Sequence, residues 1–182
     1  ASAVERRLAE QIDLERHHLR NVVEATQAGS WEWNVATGEW IFDRRWAAML
    51  GLADAPAPGQ DRSAWRALVH PDDLNEVDAE LARLVDGTSP CFEHDLRLRH
   101  RDGHWIWVHD RAIVVRRAAD GSALLLKGAQ IDISRRKSAE EQLCLAASVF
   151  SSGYEAIIIT DANNRIVDVN PAFTRITGYS RE

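Results

Sequence analysis

The sequence predicts an α+β fold in which an antiparallel sheet is accompanied by short helices. Two strand-like runs separated by a tight turn come first, at residues 31–35 and 39–43. Three more alternating runs follow, at residues 91–100, 104–117 and 122–134, and both of their connections carry Asp-Gly. Asp-Gly between strand-like runs is a strong hairpin signal. The residues between the two groups favour helix, so strands and helices are segregated along the chain.

Composition narrows the class of protein. Of the 182 residues, 45% are hydrophobic and 27% are charged, as in ordinary globular proteins. The formal net charge is −6 and no basic stripe extends beyond residues 135–137, so nucleic acid and anionic membranes are not expected partners. No apolar stretch approaches the roughly 18 residues of a membrane-spanning helix, and no membrane span is predicted.

The cysteine content and the absence of catalytic motifs limit the chemistry expected of this chain. Cys91 and Cys144 are too few for a disulfide framework and lack metal-ligand spacing, so a reducing, cytoplasmic location is expected and no metal site is predicted. The sequence contains no Gly-rich phosphate loop, nucleophile elbow or pair of catalytic carboxylates. No catalytic residues are therefore predicted, and the chain itself is not expected to be an enzyme.

The N-terminal segment is predicted to form an amphipathic helix. Residues 4–26 contain no Gly or Pro and are rich in helix-favouring side chains. Their apolar positions recur at the spacings of a heptad, with an interruption at Glu15. The predicted dimer seam consists of Leu8, Ile12, Leu19 and Val22. Two interpretations stay open, namely a parallel dimeric coiled coil and a helix that packs on its own domain.

Capping residues place the helices between the two groups of strands. Asp43 is a suitable N-cap for a helix over residues 44–52, and a second short helix is predicted over residues 63–69. A longer helix begins in the HPDDL motif at Pro71 and is predicted to run to Val85. The two Asp residues of the motif fall in its first turn, where they complement the helix dipole.

The strands differ in how their apolar side chains alternate. Residues 91–100 alternate apolar and charged side chains, which indicates one buried and one solvated face. Residues 104–117 carry apolar side chains on both faces, so this strand is predicted to be central, with cover on both sides. The helices over residues 44–86 can cover one face, and residues 4–26 can cover the other.

A repeat follows the sheet. Residues 31–52 align without gaps with residues 158–179, which equates Asp43 with Asn170. A hairpin followed by a capped helix therefore begins again, but about 30 residues are too few to bury a core alone. The predicted organisation is an N-terminal helix, a domain, a connecting helix and the truncated start of a second domain, at residues 1–28, 29–133, 134–152 and 153–182.

These motifs, in this order, resemble a PAS domain. The matching runs are WEWNVATGEWIFDRRWAAMLGL, LVHPDDL, FEHDLRLRHRDGHWIWVHDRAIVV and GAQIDISRRKSAEEQL. Together they resemble the PAS subgroup with the HPDD pattern and its C-terminal PAC segment, over residues 28–136. The segment EAIIITDANNRIVDVNPAFTRITGYSRE resembles the opening of a second PAS domain of a different subgroup.

The resemblance implies a five-stranded antiparallel sheet with short helices over one face and a pocket between helices and sheet. Family members serve as sensory and dimerising modules. From strand alternation, the candidate pocket-lining residues are Trp33, Trp40, Phe42, Phe92, His94, Leu96, Trp107 and His109. The alternative is that the aromatic rings fill the core completely.

The resemblance also suggests a route for the signal. In this family the signal leaves through the end of the last strand, which often reads Asp-Ile-Thr, and here Asp132, Ile133 and Ser134 occupy that place. An Asp and a hydroxyl flanking an apolar anchor can hold the strand-to-helix joint by hydrogen bonds. These three residues are the predicted signal relay.

No cofactor is predicted. His94 and His109 fall on neighbouring predicted strands and His70 precedes the long helix, so haem or metal ligation is one interpretation. Nothing nearby matches the local pattern of the haem-binding relatives. The light-sensing relatives hold flavin beside a cysteine in an Asn-Cys-Arg-Phe setting, which this sequence lacks, and non-covalent flavin stays open.

These observations predict a non-catalytic sensory and dimerisation module of a bacterial signalling protein. A small ligand or a partner contact is expected to bias the flanking helices of a homodimer between two arrangements. The output domain is expected after Glu182 in the same chain and is expected to make or degrade cyclic di-GMP through GGDEF or EAL domains. The alternatives are a histidine kinase output and a ligand-free PAS scaffold for dimerisation.

Overall fold

The computed structural model describes residues 26–54 and 62–179. The chain divides into two compact units, Ala1–Ser134 and Arg135–Glu182. The predicted N-terminal helix and its dimer seam lie outside the described residues; the seam comprises Leu8, Ile12, Leu19 and Val22.

The described residues of the first unit form five strands and three helices. In chain order they are β1 (Gly29–Asn34), β2 (Trp40–Phe42), α1 (Arg44–Met49), α2 (Arg62–Arg66), α3 (Pro71–Val85), β3 (Phe92–Arg99), β4 (Trp105–Arg117) and β5 (Ala123–Asp132). Every strand and helix predicted over residues 31–134 is present, with ends that differ by a few residues. The α+β fold class is therefore confirmed.

The strands form one antiparallel sheet in the order β2-β1-β5-β4-β3, which confirms the predicted five-stranded sheet. The central strand is β5, so the prediction that residues 104–117 are central is wrong. β1 pairs along β5, with Trp31 opposite Gly128, and the first hairpin therefore extends the sheet on the far side of β5 from β4.

The outer face of β4 explains that error. Trp105, Ile113 and Val115 on this face are 39%, 48% and 44% exposed. The opposite face of the strand, which carries Ile106 and Val108, is buried. Although β4 carries apolar side chains on both faces, only one face is covered by other described residues.

The helix caps confirm the predicted starts of α1 and α3, whereas α1 ends at Met49, three residues earlier than predicted. Asp43 accepts a hydrogen bond from the backbone N–H of Trp46 at 2.7 Å and begins α1. α3 begins at Pro71 and ends at Val85, and the His70 side chain accepts from the backbone N–H of Asp72 at 3.2 Å. These local hydrogen bonds therefore determine where α1 and α3 begin along the chain.

The core lies between one face of the sheet and the three helices. Its largest buried side chains are aromatic, and four tryptophans are each no more than 2% exposed. The principal members are Trp31, Trp40, Trp46, Trp65, Phe92, Leu50, Leu81, Leu84, Leu96, Leu98 and Leu126.

The second unit repeats the opening of the first. It contains most of α4 (Ser134–Ser152), then β6 (Ile158–Thr160), β7 (Ile166–Val169) and α5 (Pro171–Thr177). Asn170 accepts from the backbone N–H of Phe173 at 3.0 Å, as Asp43 does from Trp46 in the first unit. The predicted return of a hairpin and a capped helix is confirmed. None of the helices in the described ranges has the length and hydropathy needed to cross a bilayer.

Candidate functional site

An aromatic cluster occupies the space between the sheet and the helices. The Trp40 ring stacks on Trp33 and Trp65, with ring centroids 5.3 and 5.4 Å apart, and lies 4.9 Å from Trp31 and 5.8 Å from Phe42. Trp40 is 1% exposed. The predicted pocket residues Trp33, Trp40 and Phe42 thus come together, and their rings pack against one another.

Four buried donors in and beside this cluster have no hydrogen-bond partner among the described residues. They are the indole Nε1 groups of Trp33, Trp40 and Trp65 and the Nε of Arg62. The Arg62 guanidinium lies 5.6 Å from the centroid of the Trp33 ring. A buried donor without an acceptor costs about 1–3 kcal/mol. The Arg62 guanidinium also pairs with Asp78 at 2.6 Å, so only its Nε lacks a described partner. The cluster can therefore offer three indole N–H groups and the Arg62 Nε–H to a molecule with acceptor atoms.

On β3 the predicted pocket residues face the helices. Phe92 and Leu96 are buried in the core. The His94 Nδ1 lies 3.3 Å from a carboxylate oxygen of Glu80 on α3, and this imidazole is partly exposed. His94 is therefore held at the rim of the core by an acidic neighbour.

Trp107 and His109 do not line the core, so that part of the predicted pocket is wrong. Both lie on the outer face of β4, where the Trp107 ring is 5.1 Å from the Arg97 guanidinium and His109 Nδ1 is 2.8 Å from Asp95. The register pairs His94 with Asp110 rather than with His109. Neighbouring side chains on a strand point to opposite faces, so a one-residue error exchanges the faces. His94 and His109 consequently cannot bind one haem or metal together.

The core contains a polar network that the sequence analysis missed. The buried Asp110 carboxylate on β4 accepts from Trp31 Nε1 at 2.9 Å and from Gln130 Nε2 at 2.6 Å. The Oε1 of Gln130 on β5 accepts from Trp46 Nε1 at 2.7 Å. These three bonds join β1, β4, β5 and α1. The signal available in the sequence was the parity of Asp110, which places it on the same face as Ile106 and Val108.

Burial raises the pKa of Asp110 to about 7, although the hydrogen bonds from Gln130 and Trp31 act in the opposite direction. Asp110 is 1% exposed and Gln130 is fully buried. A carboxyl group in this environment changes its protonation near neutral pH. The network therefore contains a group whose charge can change without any change of ligand.

A second acidic residue ties α3 to the edge of the sheet. The Asp73 carboxylate accepts from the backbone N–H of Arg97 at 2.9 Å and from its guanidinium at 2.6 and 3.1 Å. Burial opposes ionisation of Asp73, yet the hydrogen bonds and charge of Arg97 together lower its pKa. This Asp of the HPDD motif thus positions the long helix, in addition to complementing its dipole.

The joint between β5 and α4 has the hydrogen bonds expected from its sequence. Asp132 Oδ1 accepts from the backbone N–H of Ser134 at 2.8 Å. The Ser134 hydroxyl accepts from the backbone N–H of Trp107 at 3.0 Å, and the Ile133 N–H donates to the Trp107 carbonyl at 2.9 Å. The first residue of α4 is therefore bonded to β4 as well as to the end of β5.

Comparisons with known proteins agree with this architecture. Residues 39–129 match a family model described as PAS fold, and residues 146–182 match one described as PAS domain. This chain is similar in fold to the solved structure of a sensory box histidine kinase/response regulator from Burkholderia thailandensis, with a TM-score of 0.60 and 23% identity. The match covers 71% of this chain and 95% of that one. It is also similar to the N-terminal domain of a diguanylate cyclase with PAS/PAC sensor from Marinobacter aquaeolei, with a TM-score of 0.51 and 28% identity. That match covers 60% of this chain and 98% of the other.

Among curated proteins, an uncharacterized protein, y4lL, from Sinorhizobium fredii is 36% identical over 54% of this chain and 11% of its own length. A methyl sulfide methyltransferase-associated sensor from Methanosarcina acetivorans is 31% identical over 44% of this chain and 8% of its own length. The chain thus spans only about a tenth of these curated relatives. Because one family model alone matches half of the sequence and the sheet, helices and joint have the expected order, the chain belongs to the PAS family.

Proposed function

We propose that this chain is a non-catalytic sensory module that binds a small molecule in its aromatic core and relays the bound state to an output domain. The supporting observation is the group of four buried donors without described partners around Trp40. In a domain that served only as a scaffold, these donors would lower the free energy of unfolding, because none of them has an acceptor among the described residues. A ligand with acceptor oxygens or nitrogens would remove that cost.

The proposed relay runs from α1 to the strand-to-helix joint. Trp46 on α1 donates to Gln130, which lies two residues before Asp132 on β5. A ligand that shifts α1 would change this bond, and β5 would carry the change to Ser134. The signal-relay role of Asp132, Ile133 and Ser134 is part of this proposal.

We extend the proposal to a homodimer through the flanking helices. Leu143, Leu145 and Val149 on α4 are 72%, 65% and 61% exposed, and apolar side chains gain free energy on burial. The heptad-like pattern of residues 4–26 supports the same arrangement. Sedimentation equilibrium tests the dimer, and a monomer at high concentration would contradict it.

The output domain is proposed to make or degrade cyclic di-GMP, with a histidine kinase as the second candidate. Similar proteins of both kinds exist: the Marinobacter diguanylate cyclase, and TmoS, a sensor histidine kinase from Ectopseudomonas mendocina that is 38% identical over 27% of this chain and 6% of its own length. The residues that follow Glu182 in the full protein distinguish the two, through a GGDEF or EAL motif or through a phosphoaccepting His box. A cytoplasmic location, in keeping with the two free cysteines, completes the proposal.

Trp40→Phe tests ligand binding, because it removes one indole donor and keeps a ring in the core. We expect the wild-type chain purified from cells to carry a small molecule, seen as a mass difference between native and denaturing mass spectrometry. The variant should retain it about tenfold more weakly, the loss expected for one buried hydrogen bond. Trp105→Phe, on the exposed outer face, is the control. If the wild type has the same mass under native and denaturing conditions and Trp40→Phe is more stable than the wild type, the ligand-free scaffold is favoured.

Ser134→Ala tests the joint. The substitution removes the acceptor of the Trp107 N–H, so hydrogen exchange at that amide should become faster and stability should fall by about 1 kcal/mol. Ser134→Thr keeps the hydroxyl and should restore protection. Ser138→Ala, on the exposed surface of α4, controls for the loss of a serine from this helix. Unchanged exchange at Trp107 in Ser134→Ala would show that the hydroxyl does not hold the joint.

A further inference from the structure

The hairpin turn between β3 and β4 carries three side chains with metal-ligating atoms. His100, Asp102 and His104 alternate along the turn, and one nitrogen from each imidazole and one carboxylate oxygen all lie within 4.8 Å of one another. The two imidazole rings stack with centroids 4.4 Å apart. No metal site was predicted from the sequence, where the cysteines and only His70, His94 and His109 were considered as ligands.

The backbone of the turn holds these side chains in place. The His100 N–H donates to the His104 carbonyl and the Gly103 N–H donates to the His100 carbonyl, both at 2.9 Å. Gly103 has a φ of +90°, a conformation that side-chain-bearing residues rarely adopt. The ligand set is therefore formed by a single short turn and needs no folding rearrangement to assemble.

His100 is also fixed against the body of the domain. A Cβ added at Gly51 would collide with the Nε2 edge of the His100 ring, so that edge faces Gly51. The other nitrogen, Nδ1, faces the turn, 3.4 Å from Asp102 Oδ2 and 3.3 Å from the Asp102 N–H. The backbone N–H of Arg101 donates to the Leu50 carbonyl at 3.0 Å. One ligand is thus anchored while Asp102 and His104 face solvent.

The spacing suits a tetrahedral transition metal ion. Ligand bonds of about 2.0–2.1 Å require neighbouring ligand atoms about 3.3 Å apart. The His100 and Asp102 atoms already lie at 3.4 Å, and the exposed His104 can close the remaining gap by side-chain rotation. A metal at Nδ1 would replace the weak hydrogen bond from the Asp102 amide.

We propose that His100, Asp102 and His104 bind a divalent transition metal ion of the Zn²⁺ class, with one position left open to solvent. Two imidazoles and one carboxylate suit Zn²⁺, Ni²⁺ and Cu²⁺, whereas Ca²⁺ and Mg²⁺ take oxygen ligands. Arg101 in the same turn lies 3.9 Å from Asp102, and its guanidinium also donates to the Gly51 carbonyl at 3.2 Å. The site is independent of the proposed ligand in the aromatic core.

A second cluster provides the matched comparison. Glu76 and Glu80 on α3 and His94 on β3 also bring ligand atoms within 4.8 Å. In that cluster the His94 imidazole already pairs with Glu80 at 3.3 Å, and only one nitrogen ligand is available. A Zn²⁺-class ion should therefore prefer the turn.

Zinc titration of the whole chain, with any affinity tag removed and the protein first treated with a chelator, tests the proposal. Isothermal calorimetry should show one Zn²⁺ per chain, and Co²⁺ should give the visible absorption of a tetrahedral complex. His104→Ala and Asp102→Asn should each weaken binding at least tenfold, because each removes a ligand or its charge. Glu80→Gln should bind as the wild type does.

Three results would overturn the site. They are no zinc binding by the wild type, equal affinity in His104→Ala and wild type, and loss of binding in Glu80→Gln. Circular dichroism of each variant shows whether it is folded, and since His104 and Asp102 are exposed, both variants should retain the wild-type spectrum. A variant that unfolds is replaced by His104→Gln, which keeps the size of the side chain and is subject to the same comparison.

Discussion

Gly29→Ala is expected to lower the free energy of unfolding of the first unit by about 3 kcal/mol, at the upper end of the usual cost of overpacking. A Cβ at this position would lie 2.6 Å from Trp46 Cα and 2.7 Å from Trp46 N. These are backbone atoms of α1, so the helix itself would have to move away from β1. That movement would stretch the bond from Trp46 to Gln130 and leave two buried polar groups unpaired.

Urea unfolding monitored by tryptophan fluorescence measures this effect. A glycine in a strand ordinarily becomes more stable as alanine, because alanine has less freedom in the unfolded chain, so the expected sign is opposite to the general trend. Gly153→Ala, where the nearest contact of a new Cβ is 3.1 Å, is the matched control and should leave the transition of the first unit unchanged. Equal midpoints for Gly29→Ala and wild type would mean that α1 does not lie against β1 at this residue.

Local signals in the sequence were sufficient for the elements of the fold. Asp43 and Asn170 are short polar side chains directly before helical residues, and each accepts from the amide three residues later. The two Asp-Gly turns fixed the hairpins of β3, β4 and β5. These features depend on neighbours in sequence, so they could be predicted without knowing the rest of the molecule.

Features that depend on distant pairing could not be predicted in the same way. The place of β5 at the centre depends on pairing between Trp31 and Gly128, nearly a hundred residues apart. The outward position of Trp107 and His109 depends on the register between β3 and β4, which alternation alone leaves uncertain by one residue. Because the two faces of β4 were exchanged in the prediction, Asp110 was not recognised as a buried polar residue.

The turn at residues 100–104 shows a further limit. His100, Asp102 and His104 are plain in the sequence, yet alternate residues of an extended strand would point the same way at separations too large for one ion. The tight turn at Gly103 is what brings their atoms together. Sequence spacing becomes a ligand set only once the turn geometry is known.

The stability of the first unit should fall as the pH rises from about 4 to about 8, and Asp110→Asn should remove most of that dependence. The carboxyl has its ordinary pKa of 3.8 in the unfolded chain and a pKa of about 7 in the fold. Between these values the folded state binds more protons, so the contribution of the neutral acid is complete below pH 4 and is lost as the pH passes 7. The change amounts to about 4 kcal/mol at most, at 1.36 kcal/mol for each pKa unit.

Denaturation at pH 5 and pH 8, in wild type and in Asp110→Asn, separates this group from the others. Asn cannot titrate, and it presents an NH₂ to one of the two donors, so the variant should be less stable at pH 5 and closer to wild type at pH 8. His109, whose charge lowers the pKa of Asp110, is present in both proteins, so only its interaction with Asp110 differs between them. A difference that is the same at both pH values would mean that Asp110 stays ionised in the fold. If the difference closes as expected, ionisation of Asp110 places an uncompensated buried charge beside Gln130, two residues before the joint, so pH would act on the same strand that is proposed to carry the ligand signal.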